Sequence, residues 1–333
     1  MKTLISLFAL FFSLSITAQT NTATWYFNDT SGSGIQSNTY NTASGNVSIA
    51  MGSYTTASGH YSTAMGLGTN ASGYGSTAMG EGAIASGERS TAMGYQTEAS
   101  EDYSTAMGYF TAANGSRSTA IGSGTTANGA ASVAMGSNTS ASGNGTTAMG
   151  FGTNASGFYS TTMGIYTIAS DLLSLVMGQY NLAGSTVTED SIGEEGTSAN
   201  TFSLDNIAFV IGNGTNSDSR SDALVVKFNG DATLAGNLNI NSDARLKANI
   251  VSLGSTLSKL LQIDGKSYTM KKDESEKQKI GLLAQDIEKV FPELVSESNG
   301  IKSVNYQGLV PVLINALKEQ EERIKRLEEL LLD

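Results

Sequence analysis

The chain has no cysteine, one histidine and two prolines in 333 residues. Without cysteine there are no disulfides, thiolate metal sites, cysteine nucleophiles or lipidated N-terminal cysteine. A single histidine excludes a multi-histidine metal site. Unless His60 sits in an active site, it excludes histidine-dependent triads as well. Basic residues are few: 19 Lys and Arg stand against 30 Asp and Glu, a net charge of −11, which argues against nucleic acid as a partner. No pattern calls for a cofactor or a metal. After the first residues, no apolar run is long enough to cross a bilayer as a helix.

What is present is unevenly placed. Residues 242–333 carry 14 basic and 15 acidic side chains, a net of −1, whereas residues 1–241 carry 5 and 15, a net of −10. Of the 38 glycines, 24 lie in residues 43–182, and both prolines, Pro292 and Pro311, fall in the last quarter. Different kinds of domain are joined end to end. At the N-terminus, Lys2 precedes an apolar run from Leu4 to Ile16 and then Thr17-Ala18-Gln19. That order reads as a secretory signal over residues 1–18, and implies a protein that is secreted or displayed at a cell surface. Residues 19–42 form a short N-terminal segment.

From Ala43 to Leu182 the chain repeats ten times with a period of 14. Typical units are ASGYGSTAMGEGAI (71–84) and ASGERSTAMGYQTE (85–98). Counting from the first Ala, position 1 is always Ala and position 10 always Gly. Position 6 is Ser in nine units and position 9 is Met in nine, with Ile121 the exception. Fourteen residues are too few for a helical hairpin and suit one turn of a β-solenoid, with two short strands and two tight corners. Glycines at positions 3 and 10 are expected at the corners, where φ is positive. Strand alternation puts positions 7 and 9 on one face and 6 and 8 on the other. The more apolar face, with Met at position 9, is expected inside. Position 8 is Ala in eight units, so its face is the one expected to approach a neighbouring chain.

The S-T-A-M-G core and constant period resemble the head repeats of YadA-type trimeric autotransporter adhesins. The resemblance implies a left-handed parallel β-roll in a homotrimer, with an extracellular protein or glycan ligand bound through the head. His60 sits at variable position 4, where other units have Asn46, Tyr74 or Glu88, and reads as a surface residue. Eleven aromatics from Tyr54 to Tyr166 also fall at variable positions, either as a binding surface or as scattered surface residues. Stacked Ser-Thr pairs at positions 6 and 7 raise an ice-binding role; strand propensity and local hydrogen bonding explain them more simply.

Residues 183–241 read as a β-rich connector or trimeric stalk, with strand-like runs at 207–212, 223–228 and 232–240 and turns at Gly212-Asn213-Gly214 and Asn229-Gly230. The tail, 242–333, opens with SDARLKANI and continues through IGLLAQDIEKVFPELV (280–295) and SVNYQGLVPVLINALKEQ (303–320). These blocks resemble the endosialidase-type intramolecular chaperone family. The resemblance implies a small α+β domain that helps an upstream trimer fold and then cuts itself off. Carried onto this chain, cleavage falls between Asn241 and Ser242, with Ser242 as nucleophile and Lys247 as general base. Where some members have His ahead of the G-L-x-A-Q segment, this chain has Lys279. A hydroxyl needs a neighbouring base, and a desolvated Lys can serve. Five residues apart on a regular helix, the two would point about 140° away from each other, so they are expected to meet across a turn. Asp243 and Arg245 are expected to pair, and Asn249 and Gln285 to give supporting polar contacts. An attached, uncut chaperone is the alternative, as is a structural or ice-binding roll. Nothing in the chain suggests a cleft for cutting foreign proteins.

In the last helix Val310, Leu317, Ile324 and Leu331 fall at heptad position a, and Leu313, Gln320 and Leu327 at d. Their three- and four-residue spacing is a coiled-coil seam. The overall expectation is a mainly β protein: a roll, a β-rich stalk, and an α+β tail ending in a coiled-coil helix.

Overall fold

A computed structural model of the chain describes residues 26–27, 35–36, 40–184, 202–271 and 277–332. The expected signal segment, most of residues 19–42 and the acidic run 185–200 lie outside the described residues. The chain divides into two compact units, residues 1–237 and 238–333, a few residues ahead of the expected boundary.

The first unit is a parallel β-solenoid. Each 14-residue unit makes one five-residue strand and one two-residue strand, for example Thr91–Tyr95 and Glu98–Ala99. The long strands stack in one wide sheet and the short ones in a narrow sheet. Pairing is parallel and in register, so that Met79, Met93, Met107 and Ile121 form one row.

Which side faces in differs from the expectation. The buried rows are Ala at position 1, Ser at 6, Ala at 8 and mostly Thr at 13, for example Ala85, Ser90, Ala92 and Thr97, each 0–1 % exposed. The Met row at position 9, with its Thr neighbours at position 7, lies half-buried on the outer face of the wide sheet. The Ala-rich face is therefore the interior of the roll and is unavailable to a neighbouring chain. The reason is spacing. Corners of a few residues hold the two sheets so close that Ala, Ser and Thr fill nearly all the space between them, with Asn41, Val176 and Asn181 only towards the ends, and a Met row would overpack that space. Period-2 hydropathy assigns the larger apolar residue inward, and close packing reverses it here.

The glycines also work differently from the expectation. The corners are at positions 5 and 12, which all have φ between about 41° and 66°, as at Arg89 (53°) and Gln96 (51°). Position 10 lies within the long strand, with φ +131° at Gly94. A Cβ there would sit 2.0 Å from the carbonyl oxygen of Gly108, one turn on. At position 3 the φ is ordinary, and a Cβ on Gly73 would lie 1.9 Å from the Gly87 oxygen. Both glycines thus serve the close approach of successive turns. In several turns the position-6 hydroxyl closes the first corner: Ser90 Oγ donates to the Gly87 carbonyl at 2.7 Å, and Ser48 does the same to Gly45 at 2.7 Å. Each buried Ala methyl contributes on the order of 1 kcal/mol. One turn cannot offset the entropy of ordering 14 residues, and stability comes from stacking.

The connector continues the roll. Strand Ile207–Asn213 pairs in parallel with Leu175–Gln179, matching Ile211 to Met177 and Gly212 to Gly178. Residues 209–213 thus occupy positions 7 to 11 of an eleventh turn. Strands Asp222–Lys227 and Ala232–Leu234 then add antiparallel, the last of them shorter than the sequence pattern suggests. At the other end, Tyr26–Phe27 and Ile35–Gln36 pair antiparallel, and the second joins Ile49–Ser53 in parallel.

Replacing Gly94 by Ala should destabilise the roll by more than about 3 kcal/mol, because positive φ and a backbone clash add. Gly68→Ala, at a corner with nothing within 4 Å of the new Cβ, should cost only about 1 kcal/mol. Thermal unfolding of the two variants checks the order.

Candidate functional site

The tail unit is built around Ile287, Phe291 and Val312, which are 0–3 % exposed. Helix α1 (Leu257–Leu260), helix α2 (Ala284–Val290) and helix α3 (Leu309–Leu332) supply this core with two hairpins, Lys266–Tyr268 with Lys279–Gly281, and Val295–Ser298 with Ile301–Val304. Pro292 opens a single 3-10 turn after α2, where a missing N–H costs nothing.

The segment expected to carry chemistry begins this unit. Asp243 caps a 3-10 turn, Ala244–Leu246: its Oδ1 accepts the Arg245 backbone N–H at 2.9 Å. The Arg245 side chain folds back on the same carboxylate, Nη2 to Oδ2 at 2.6 Å and Nε to both oxygens at 3.1 Å. This guanidinium first, and the backbone N–H second, hold the Asp243 carboxyl below its ordinary range and raise Arg245 in return. The turn closes with the Lys247 N–H donating to the Ala244 carbonyl at 3.1 Å. The chain is thereby reversed, and Lys247 Nζ donates to Ser242 Oγ at 2.6 Å. Three tight residues achieve what a regular helix would forbid. Asn249 has φ +53° in the segment that follows, and Gln285 lies exposed on the first turn of α2. Neither joins the Ser242–Lys247 pair among the described hydrogen bonds. Residues 230–255 are exposed throughout.

Helix α3 has two working faces. Leu309, Val312 and Ala316 are buried against the tail's own core. Glu319 continues that face. Its Oε2 accepts from Ser255 Oγ at 2.6 Å, and its Oε1 accepts the N–H groups of Thr256 and Leu257, the second at 3.2 Å. Thr256 Oγ1 donates to the Val312 carbonyl at 2.8 Å. The start of α1 is thus bound to α3 across more than 60 residues of sequence. Sequence reasoning missed Glu319, because one acid in a charged helix looks like a solvated residue. The other face carries the heptad positions: Val310, Leu313, Leu317, Ile324, Leu327 and Leu331 are 45–85 % exposed, and Gln320 is exposed among them. A single chain leaves this seam uncovered.

Among the described residues there is no cluster of side chains that could hold a metal ion. No described helix is long and apolar enough to cross a membrane. His60 is exposed at position 4, next to the first corner.

The Glu319 clamp sets a pH dependence. The Ser255 hydroxyl, and then the Thr256 N–H, lower the folded carboxyl below its ordinary value. The clamp's stabilisation is therefore complete above the ordinary carboxylate range and is lost as pH falls through the depressed folded value. Thermal unfolding of the tail should weaken over that acid window in the natural chain. Glu319→Gln should remove this component while lowering stability at neutral pH.

Comparison with known proteins follows the same division. Residues 43–69 and, in overlapping pairs of copies, 71–169 match the YadA head domain repeat. Residues 242–296 match the chaperone of endosialidase, Peptidase_S74. Long tail fiber protein Gp37 of Salmonella phage S16 is 32% identical over 118 residues, 31% of this chain and 16% of that protein. The Gp37 proteins of Enterobacteria phages K3 and T2 are each 32% identical, over 126 and 106 residues, which are 10% and 8% of their lengths. The chain thus spans at most a sixth of the curated relatives it matches. By these matches, its solenoid is similar to the YadA head and its tail to the endosialidase chaperone.

Proposed function

We propose that this chain is the protomer of a fibre-like homotrimer, displayed outside the cell, whose roll presents a repetitive binding surface and whose tail assists trimer folding and then releases itself. The 2.6 Å contact between Lys247 Nζ and Ser242 Oγ carries the self-cleavage reading. The tail's match to the endosialidase chaperone supports it, and the tail-fibre relatives support the fibre-like part of the reading.

In the proposed step, Lys247 takes the Ser242 Oγ proton as that oxygen attacks the Asn241 carbonyl carbon. The Asn241–Ser242 C–N bond breaks and the Ser242 nitrogen leaves as an amine, taking the proton from Lys247. An ester now joins Asn241 to the Ser242 oxygen. Water hydrolyses it, giving an Asn241 carboxylate and a fragment beginning at Ser242. A lysine acts as a base only when desolvated. In one chain the segment is fully exposed, so packing by two further copies would supply the dry environment. Asp243 and Arg245 would hold the turn; Asn249 and Gln285 are left as positions for contacts made across chains. The reaction is a single maturation event.

Trimer contacts are assigned to two surfaces that a single chain leaves open. One is the α3 seam. The other is the Thr-x-Met face of the wide sheet, which takes the place of the Ala face. Its Met row extends over ten turns with one Ile, and a self-complementary ridge of that length suits contact between identical copies.

Denaturing mass analysis of the purified chain should show a fragment starting at Ser242, and Ser242→Ala and Lys247→Ala should each leave the chain whole. An intact natural chain that is folded and trimeric would overturn the cleavage step. Light scattering should give three protomer masses, and Met93→Glu with Met107→Glu should weaken association by at least about 100-fold, because each charge would be buried unpaired.

A further inference from the structure

The corners of the roll carry an unexpected chemistry. A left-handed corner favours Gly or Asn, and a bulky residue there is an outlier that sustains strain. Of the twenty corners at positions 5 and 12, seven are aromatic, with φ between 41° and 59°. Six of these side chains are exposed, Tyr54, Tyr61, Tyr103, Phe110, Tyr159 and Tyr166. Other corners of the same fold do use glycine, including Gly68, Gly75, Gly82 and Gly145, so the fold does not need the rings.

On the first corner the side chains join into a continuous row across four successive turns. Tyr61 and Tyr74 meet edge to face at 5.4 Å. Arg89 lies over the rings of Tyr74 (5.8 Å) and Tyr103 (5.3 Å), and its Nη1 donates to the Tyr103 hydroxyl at 2.5 Å. Glu88 pairs with Arg89 at 2.6 Å. Asp102, beside Tyr103, accepts the Glu88 N–H at 2.9 Å. With strands about 4.8 Å apart, the row is roughly 14 Å long and one residue wide.

Its shape and chemistry select the partner. A globular protein needs on the order of 800 Å² of its own surface buried for stable contact, more than so narrow a row offers. An extended peptide adds to a sheet through free backbone groups. Here the corner N–H groups already bond the previous turn: Tyr61 to the Asn46 carbonyl, Arg89 to Tyr74 and Tyr103 to Glu88. A linear carbohydrate needs neither. Its C–H faces stack on rings, and its hydroxyls bond to the tyrosine, Glu88, Arg89 and Asp102 groups along the edge. The net charge of −10 over residues 1–241, and the neutralisation of Arg89 by Glu88, disfavour an acidic polymer. We propose that the Tyr61–Tyr74–Arg89–Tyr103 row is a binding site for an uncharged linear oligosaccharide. It rests on the reading of the roll as a binding head, and it lies at a corner, clear of the Thr-x-Met face assigned to the trimer.

Calorimetry of the full chain against maltohexaose, cellohexaose, chitohexaose and mannohexaose, with hyaluronan hexasaccharide as the acidic control, tests it. At least one neutral hexaose should bind with Kd below about 10 mM. Tyr61→Gly with Tyr103→Gly should weaken that binding at least about tenfold. Glycine relieves the left-handed corners, so these variants should melt no lower than the natural chain, and a loss of binding is then not a loss of fold. Phe110→Gly, on the opposite corner, should leave binding unchanged. The site is overturned if no neutral hexaose binds, if only hyaluronan binds, or if the tyrosine variants bind as well as the natural chain. Light scattering on the same samples separates the two readings: a trimer that binds no neutral hexaose removes the site and leaves the fibre in place.

Discussion

The whole roll depends on one close approach. At position 10 of each unit, and at position 3 of most, a backbone carbonyl of the next turn occupies the space a Cβ would need. That contact calls for glycine at position 10 in all ten units and at position 3 in eight, with Glu101 and Asp171 in the other two, and it holds neighbouring strands in close parallel register. Short corners on these stacked turns then bring the two sheets together, which puts small residues and hydroxyls inside and the Met row outside. The interior is consequently polar for a protein core. Some position-6 serines, such as Ser48 and Ser90, bond back to the position-3 carbonyl, while others, such as Ser62 and Ser76, and several position-13 threonines, such as Thr97 and Thr111, bury hydroxyls that make no hydrogen bond to protein atoms. At the ninth turn Thr162 replaces the usual Ala, and its hydroxyl meets Thr167 at 2.5 Å, which shows which interior rows face each other.

Much of this was legible in the sequence, and the part that was not has a physical cause. A constant period with invariant Ala and Gly is enough for a solenoid turn, its strands and the ten turns of the repeat. It does not say which face is inside. The rule that the larger apolar side chain points inward assumes an interior wide enough to hold it, and Met93 and its row are excluded by volume. Gly suggests a corner because a tight turn is its commoner use; the actual corners tolerate Tyr, Arg and Gln, and so look merely variable. The eleventh turn is hidden in the sequence because an insertion separates Phe209-Val210-Ile211-Gly212 from the unit it completes.

In the tail, local signals are legible in the sequence and distant ones are not. The S-D-A-R-L-K segment marks Ser242 and Lys247, and the Asp243-capped turn brings them together. Asn249 and Gln285 are not drawn to that pair. The heptad seam was legible because its spacing is short, and the exposure of Leu317 and Leu327 agrees with it. Glu319 lies more than 60 residues from the groups it binds, and no local pattern marks it. Its place on the inward face of α3 means one helix both holds the start of α1 and presents the seam, so assembly and tail architecture share a single rigid element.

The ends of the roll carry a different consequence. A stack of parallel strands exposes a sticky edge at each terminus, a ready template for end-to-end growth. Here each edge of the wide sheet is turned into antiparallel pairing, by strands Tyr26–Phe27 and Ile35–Gln36 at one end and by strands Asp222–Lys227 and Ala232–Leu234 at the other. Because these terminators are separate from the repeats, the number of turns is free. Inserting or deleting 14 residues leaves register, outer face and both closures intact, and changes only reach, in increments of about 4.8 Å. The length of such a rod is a quantised, evolvable property, set by counting units and not by redesigning any of them.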